Sequence, residues 1–370
     1  MVDAYYANGI YGYDYDSGTV GHPRHTIDQI VNAAANNSTI YITNDFLKEP
    51  VNGVLFTAGK DFTYYVDSAS SLIRQCYATE IYIANYDEGT VSIYDLVTNQ
   101  VTATIQVGTH PADVEITQDG SRIYVANSGS NNVSVIDTVT RSVIGTVTLP
   151  SSPVGIYLSP SASLPLVVCS DGMVYKISST EFTVVRQFMT VLGAGGTDTS
   201  AFGLFLMIAC PGRLLFYNMS LLNPVYYTDI TFGSARPICV LQSERDAFAY
   251  LTMSDNHLAI IWSDSLELRS YIPLPYLPAG MTPSDDWSKL YIACGGYVTV
   301  FDTWTEAVIE SIPVNVGGTA NGIVYDPTRL KVYLTYVGSP NVFALDLTTK
   351  EVTQIEGFTS PRSIGRFIKM

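Results

Sequence analysis

Histidine is the scarcest reactive residue in this chain, and its placement argues against metal chemistry. There are four: His22, His25, His110 and His257. A zinc centre needs three or four His, Cys or carboxylate ligands brought together, usually with some at short spacing. Here two lie near the N terminus and two are far apart in the chain. The five cysteines, Cys76, Cys169, Cys210, Cys239 and Cys294, form no CxxC pair and no His-linked motif. Most sit in apolar runs and read as buried, unreactive thiols. No GxSxG elbow is present, and no Ser or Cys lies beside a His, so no catalytic residue is assigned. Asp87, Glu88, Asp171 and Asp255 carry the oxygen ligands that Ca²⁺ prefers. Each also reads as a solvated turn acid, so no cofactor is expected, and Ca²⁺ is the alternative these carboxylates leave open.

What remains is binding chemistry. Arg236, Arg362 and Arg366 stand at or near the starts of alternating apolar runs, as does Glu115. In a chain of net charge −15, such arginines could fix an anionic group. The candidate binding residues are therefore His110, Arg236, Arg362, Asp87, Glu88, Asp255 and His257. To these we add Tyr5, Tyr6, Tyr11, Tyr13 and Tyr15 of the Gly- and Asp-spaced opening segment. Tyrosine offers large contact area at small entropic cost. The acidic balance and the lack of any Lys/Arg run disfavour nucleic acid. No apolar run reaches the roughly 18 residues of a membrane span and no signal segment opens the chain. The expected setting is cytoplasmic, or part of a particle or surface assembly.

The elements that must position these residues are written in a repeat. A strand-like phrase recurs eight times: IYITN at 40, IYIAN at 81, IYVAN at 123, LVVCS at 166, LMIAC at 206, AYLTM at 249, LYIAC at 290 and VYLTY at 332. The steps are 40 to 43 residues. A second series, of proline or a small residue opening an alternating run, falls at Ala69, Pro111, Pro153, Gly195, Pro237, Pro278, Ala320 and Pro361. Proline suits the first position of a strand, where its missing N–H costs least. A third series is an aspartate closing a strand: Asp95, Asp137, Asp302 and Asp346, each followed by turn residues. Four strands (a to d) in each unit at this period predict an all-β chain folded as a β-propeller. The first unit has a doubtful strand a, and the chain ends on a spare one, SPRSIGRFIKM. The expectation is thus eight four-stranded blades, with the C-terminal strand completing the first blade beside Tyr41. A seven-bladed ring, in which Pro361 onward joins the unit at 81–106, is the alternative. Residues 1–37 are expected to be a Tyr-rich extension and 38–370 a single propeller.

The segment from Val107 to Leu149, VGTHPADVEITQDGSRIYVANSGSNNVSVIDTVTRSVIGTVTL, closely resembles the repeat of the YVTN β-propeller family. The units at 81–106, 278–314 and 320–358 resemble it clearly. This resemblance implies the propeller fold and leaves function open, because family members include surface-layer and adhesion-like proteins, binding subunits and a few enzyme domains. Pro23, Arg24 and His25 resemble a segment of lactonase-type propellers, which implies a hydrolase at the channel mouth as one alternative. A subunit of a redox complex is another. The leading expectation is a non-enzymatic module for protein interaction or structural assembly, contacting other protein subunits or copies of itself through a loop face and the Tyr-rich segment. The three tryptophans, Trp262, Trp287 and Trp304, are expected to pack between blades.

Overall fold

The computed structural model describes residues 80–364, apart from 118–119, 159–164, 179, 190–197, 203–204, 211, 219–224, 244–247, 264 and 285. Before residue 80 it describes three short strands. The chain forms two compact units, residues 1–79 with 368–370, and residues 80–367. In the first unit the strands Ala4–Ala7, Thr39–Ile42 and Thr63–Val66 pair in parallel, with Tyr6 beside Tyr41 and Tyr41 beside Tyr65 in register.

The second unit is a ring of seven four-stranded antiparallel sheets. Blade 1 consists of Pro361–Ile364 (a), Glu80–Asn85 (b), Thr90–Asp95 (c) and Gln100–Gln106 (d). Blade 2 runs continuously through Pro111–Ile116, Arg122–Asn127, Asn132–Asp137 and Ser142–Thr148. Blades 3 to 7 open with Pro153–Tyr157, Asp198–Phe202, Pro237–Gln242, Pro278–Pro283 and Ala320–Asp326. Six inner strands thus begin at the residue expected from the proline series.

Burial explains the wording of each strand. Strands b and c are covered on both faces by neighbouring blades, so EIYIAN and RIYVAN are buried almost throughout. Strand d faces solvent on one side and alternates, as in QVTATIQ. The apolar clusters lie between successive blades. One joins Ile81, Ile83 and Tyr94 of blade 1 to Val324, Tyr333 and Val342 of blade 7.

The eight-blade expectation fails at one point. The closing strand does not pair beside Tyr41: Pro361 lies opposite Asn85 and Ile364 opposite Ile83. Pro361 meets Asn85 as Pro111 meets Asn127 in blade 2. The ring therefore starts at Glu80, and IYITN pairs in parallel within the other unit. The spacing is the same for both, but blade membership is set by antiparallel register with strands a and c, which IYITN lacks among the described residues.

The strand-closing aspartates are turn builders. Asp95, Asp137, Asp302 and Asp346 each accept the backbone N–H of the threonine three residues on, at 2.7 to 2.9 Å. The turn ends on a left-handed residue: Asn99, Arg141, Glu306 and Lys350 have φ of 55°, 51°, 50° and 63°. Three of these side chains reach the preceding blade. Arg141 pairs with Glu80, Glu306 with Arg269 at 2.6 Å, and Lys350 with Glu310 at 2.6 Å. In blade 3 the left-handed Phe182 lies on Gly145 of blade 2. A repeated turn thus staples each of these blades to the one before it.

Candidate interaction face

The d-to-a and b-to-c connections of a propeller gather on one face, and the described residues there pack aromatic rings against arginine and histidine. One group on this face lies at the ring closure. Tyr86, the first residue after strand b of blade 1, stacks on His110 with centroids 4.5 Å apart and planes 8° from parallel. The guanidinium of Arg362, from the closing strand, lies 4.2 Å from the Tyr86 centroid. Backbone ties fix the group. Tyr86 N–H donates to the Ser360 carbonyl at 3.0 Å, Asp87 N–H donates to Ser360 Oγ at 2.8 Å, and Ser360 Oγ donates to Glu88 Oε2 at 3.1 Å. His110 takes a left-handed φ of 52°, and its carbonyl accepts the N–H and the hydroxyl of Ser128. Four of the sequence-predicted residues, Asp87, Glu88, His110 and Arg362, therefore meet around a tyrosine that the sequence reading did not single out.

A second group lies at blades 4 and 5. Tyr271 donates its hydroxyl to both Asp255 carboxylate oxygens at 3.0 Å. His257 stacks on Tyr271 at 4.5 Å, and its Nδ1 lies 3.3 Å from Asp255 Oδ1. Phe232, from the connection into blade 5, lies along Tyr271 at 6.3 Å. Burial, then the hydrogen bond to Asp255, pushes the Tyr271 hydroxyl up to about 12. A third pair, Tyr276 and Tyr297, stacks at 3.8 Å at the entry to blade 6. Arg236 is exposed, and its backbone is tied to the residue before Asp255: its N–H donates to Ser254 Oγ at 2.9 Å and its carbonyl accepts the Ser254 N–H at 2.9 Å. Tyr5 and Tyr6 lie in the strand Ala4–Ala7 of the first unit. Tyr11, Tyr13, Tyr15, Arg24, His25 and Arg366 lie outside the described residues.

The inner strands are tied to one another. Asp113 accepts the N–H of Ile156 from blade 3 at 2.9 Å and the hydroxyl of Ser363 from blade 1 at 3.4 Å. Thr252 of blade 5 donates to the Ala279 carbonyl of blade 6 at 2.6 Å. Thr335 and Asn321 of blade 7 both donate to the Arg362 carbonyl of blade 1 at 2.5 Å. Inner-strand bulges at Pro111/Asp113, Pro153/Gly155, Pro237/Cys239, Pro278/Met281, Ala320/Ile323 and Pro361/Ile364 free the residues that make several of these bonds. Among the described residues no group of three His, Cys, Asp or Glu could hold a metal ion. No helix among them is long and apolar enough to cross a membrane.

Seven antiparallel four-stranded sheets closed by pairing of distant chain segments define a β-propeller. Comparison with known proteins agrees on the fold. A family model, the choice-of-anchor I domain, matches residues 38–154. No curated protein matches. Among solved structures, the chain is similar to a functionally unknown protein from Desulfotomaculum acetoxidans DSM 771, with TM-score 0.69 and 15% identity over 78% of this chain and 98% of that one. It is also similar to Kuenenia stuttgartiensis hydrazine synthase, with TM-score 0.60 and 19% identity over 76% and 93%. A chain of a mitotic checkpoint complex matches with TM-score 0.59 and 13% identity over 68% and 78%. At these identities the likeness is one of fold.

Proposed function

We propose that this β-propeller is a non-enzymatic protein-interaction module whose d-to-a and b-to-c face receives a partner subunit or a second copy of the chain. The observation that carries this reading is the make-up of that face. Tyr86, His110 and Arg362 form one layered group, and Tyr271 with His257 and Tyr276 with Tyr297 form two more. The described lysines of this unit, Lys176, Lys289, Lys331 and Lys350, all lie towards the opposite end, at the a-to-b and c-to-d connections. Tyrosine and arginine are enriched in protein interfaces and lysine is depleted. Asp87, Glu88 and Asp255 add carboxylates beside these groups, and the exposed Arg236, tied to Ser254, adds a cation to the same face. The tyrosines at 5, 6, 11, 13 and 15 supply a second contact. The similarity in fold to a chain of a mitotic checkpoint complex supports this reading.

Site-specific photo-crosslinking tests the assignment of the face. A photoreactive side chain at Leu277, which is 49% exposed on this face, should yield protein adducts. The same group at Val139, 87% exposed on the opposite face, should yield few. Equal adducts at both positions, or adducts at Val139 alone, refute the reading. Sedimentation velocity on a chain lacking residues 1–25 tests the second contact, and unchanged assembly removes it.

A further inference from the structure

We propose that Asn321–Gly322 is a spontaneous deamidation site that the closed ring shields, and that its conversion loosens the closing strand. An asparagine followed by glycine is the pair in which the next peptide nitrogen reaches the side-chain amide most easily, because glycine has no Cβ in the way. The structure shows why both residues stand here. Ala320 pairs with Tyr336 and Ile323 with Leu334, so Asn321 and Gly322 fall in a bulge outside the ladder. Asn321 Nδ2 donates to the Arg362 carbonyl, which also accepts the Thr335 hydroxyl. Gly322 N–H donates to Thr335 Oγ1 at 2.9 Å. A Cβ on Gly322 would lie 3.0 Å from Ile364 N and 3.3 Å from the Arg362 carbonyl oxygen. The closing strand thus rests on an amide donor at 321 and on a residue without a side chain at 322.

In the reaction, the Gly322 nitrogen bonds to Asn321 Cγ, the Cγ–Nδ2 bond breaks, and ammonia leaves carrying the nitrogen's proton. Water then opens the cyclic imide to aspartate or isoaspartate. Aspartate sets a carboxylate oxygen against the Arg362 carbonyl where a donor stood. Isoaspartate adds a carbon to the main chain at the bulge that packs on Ile364. The extended backbone and the engagement of Gly322 N–H by Thr335 keep the nitrogen from attack while the ring is closed.

Peptide mass spectrometry of the full chain, incubated at mildly alkaline pH, tests this. Asn8–Gly9 and Asn52–Gly53 are the same pair elsewhere in the sequence and serve as references. Conversion at Asn321 should be at least about tenfold slower in native buffer than in urea, since it requires local opening. Thr335→Val should accelerate it without changing Asn8 or Asn52. Asn321→Asp should lower the Tm and speed amide exchange in Glu80–Asn85. If that variant does not accumulate folded, the native-against-urea rates of the unaltered chain decide. Equal rates in native buffer and urea, or an Asn321→Asp protein with unchanged Tm, overturn the proposal.

Discussion

Replacing Gly145 by alanine tests whether blades are held by turn residues reaching backwards. Gly145 lies at a bulge in strand d of blade 2, and Phe182, at the c-to-d turn of blade 3, lies on it. A Cβ on Gly145 would sit 2.3 Å from Phe182 Cγ and 2.5 Å from both Cδ atoms. Cγ is the ring atom nearest the backbone, so the ring cannot clear the methyl without a change of χ1 or a shift between blades. Overpacking of this kind costs about 1–3 kcal/mol. In a domain of this size that is a fall in Tm of roughly 2–10 °C. Gly145 has no left-handed φ, so backbone strain does not contribute. Removing the ring with Phe182→Ala should abolish the penalty of Gly145→Ala, giving a double-mutant coupling of about the same 1–3 kcal/mol. The assay is urea or thermal denaturation of the four proteins. A Gly145→Ala cost that is equal with and without the Phe182 ring would refute the reasoning.

Three further outcomes are expected. Asp95, Asp137, Asp302 and Asp346 are held below the ordinary carboxylate value of 3.8, chiefly by the N–H of Thr98, Thr140, Thr305 and Thr349. Their contribution is complete above the unfolded value and is lost as pH falls through the lower folded values; urea midpoints should drop between about pH 5 and pH 2, and Asp→Asn at all four should flatten that limb. Burial pushes the Cys169 and Cys210 thiols up to about 11, so a maleimide at neutral pH should label neither until the protein is unfolded in urea. Asp255→Asn should bring Tyr271 down from about 12, read by ultraviolet titration, while burial keeps it above 10.

The legible part of this fold was the part written locally. The prolines at 111, 153, 237, 278 and 361 open strands because an inner strand begins where a backbone donor is dispensable. The aspartates at 95, 137, 302 and 346 end strand c because their carboxylates cap the next turn. Blade number was not local. IYITN and IYIAN both end in asparagine, and only the partner of Pro361 separates them. The doubtful strand a of the first unit was the one pointer towards seven. Trp304, expected between blades, is 66% exposed, because it occupies the solvent-facing tip of a c-to-d turn. Trp262 packs within its own blade, against its cross-strand partner Phe248 at 4.7 Å, and Trp287 packs against the cluster between blades 5 and 6. At the candidate face the polar residues were visible as loop positions, whereas Tyr86, Tyr271, Tyr276 and Tyr297 were hidden among the chain's 26 tyrosines. An aromatic residue next to Asp87 and Glu88 was the available hint for Tyr86.

The closure that gathers Tyr86, His110 and Arg362 can be tested by disulfide trapping. Asp87 N–H and Ser360 Oγ are 2.8 Å apart. With Ser360→Cys and Asp87→Cys together, mild oxidation should form an intramolecular disulfide in high yield in the folded protein and little in urea. Ser360→Cys with Phe46→Cys, the pair an eight-bladed ring would bring together, should form little. Efficient trapping of 360 to 46, with none to 87, would contradict the seven-bladed ring and the interaction face built on it.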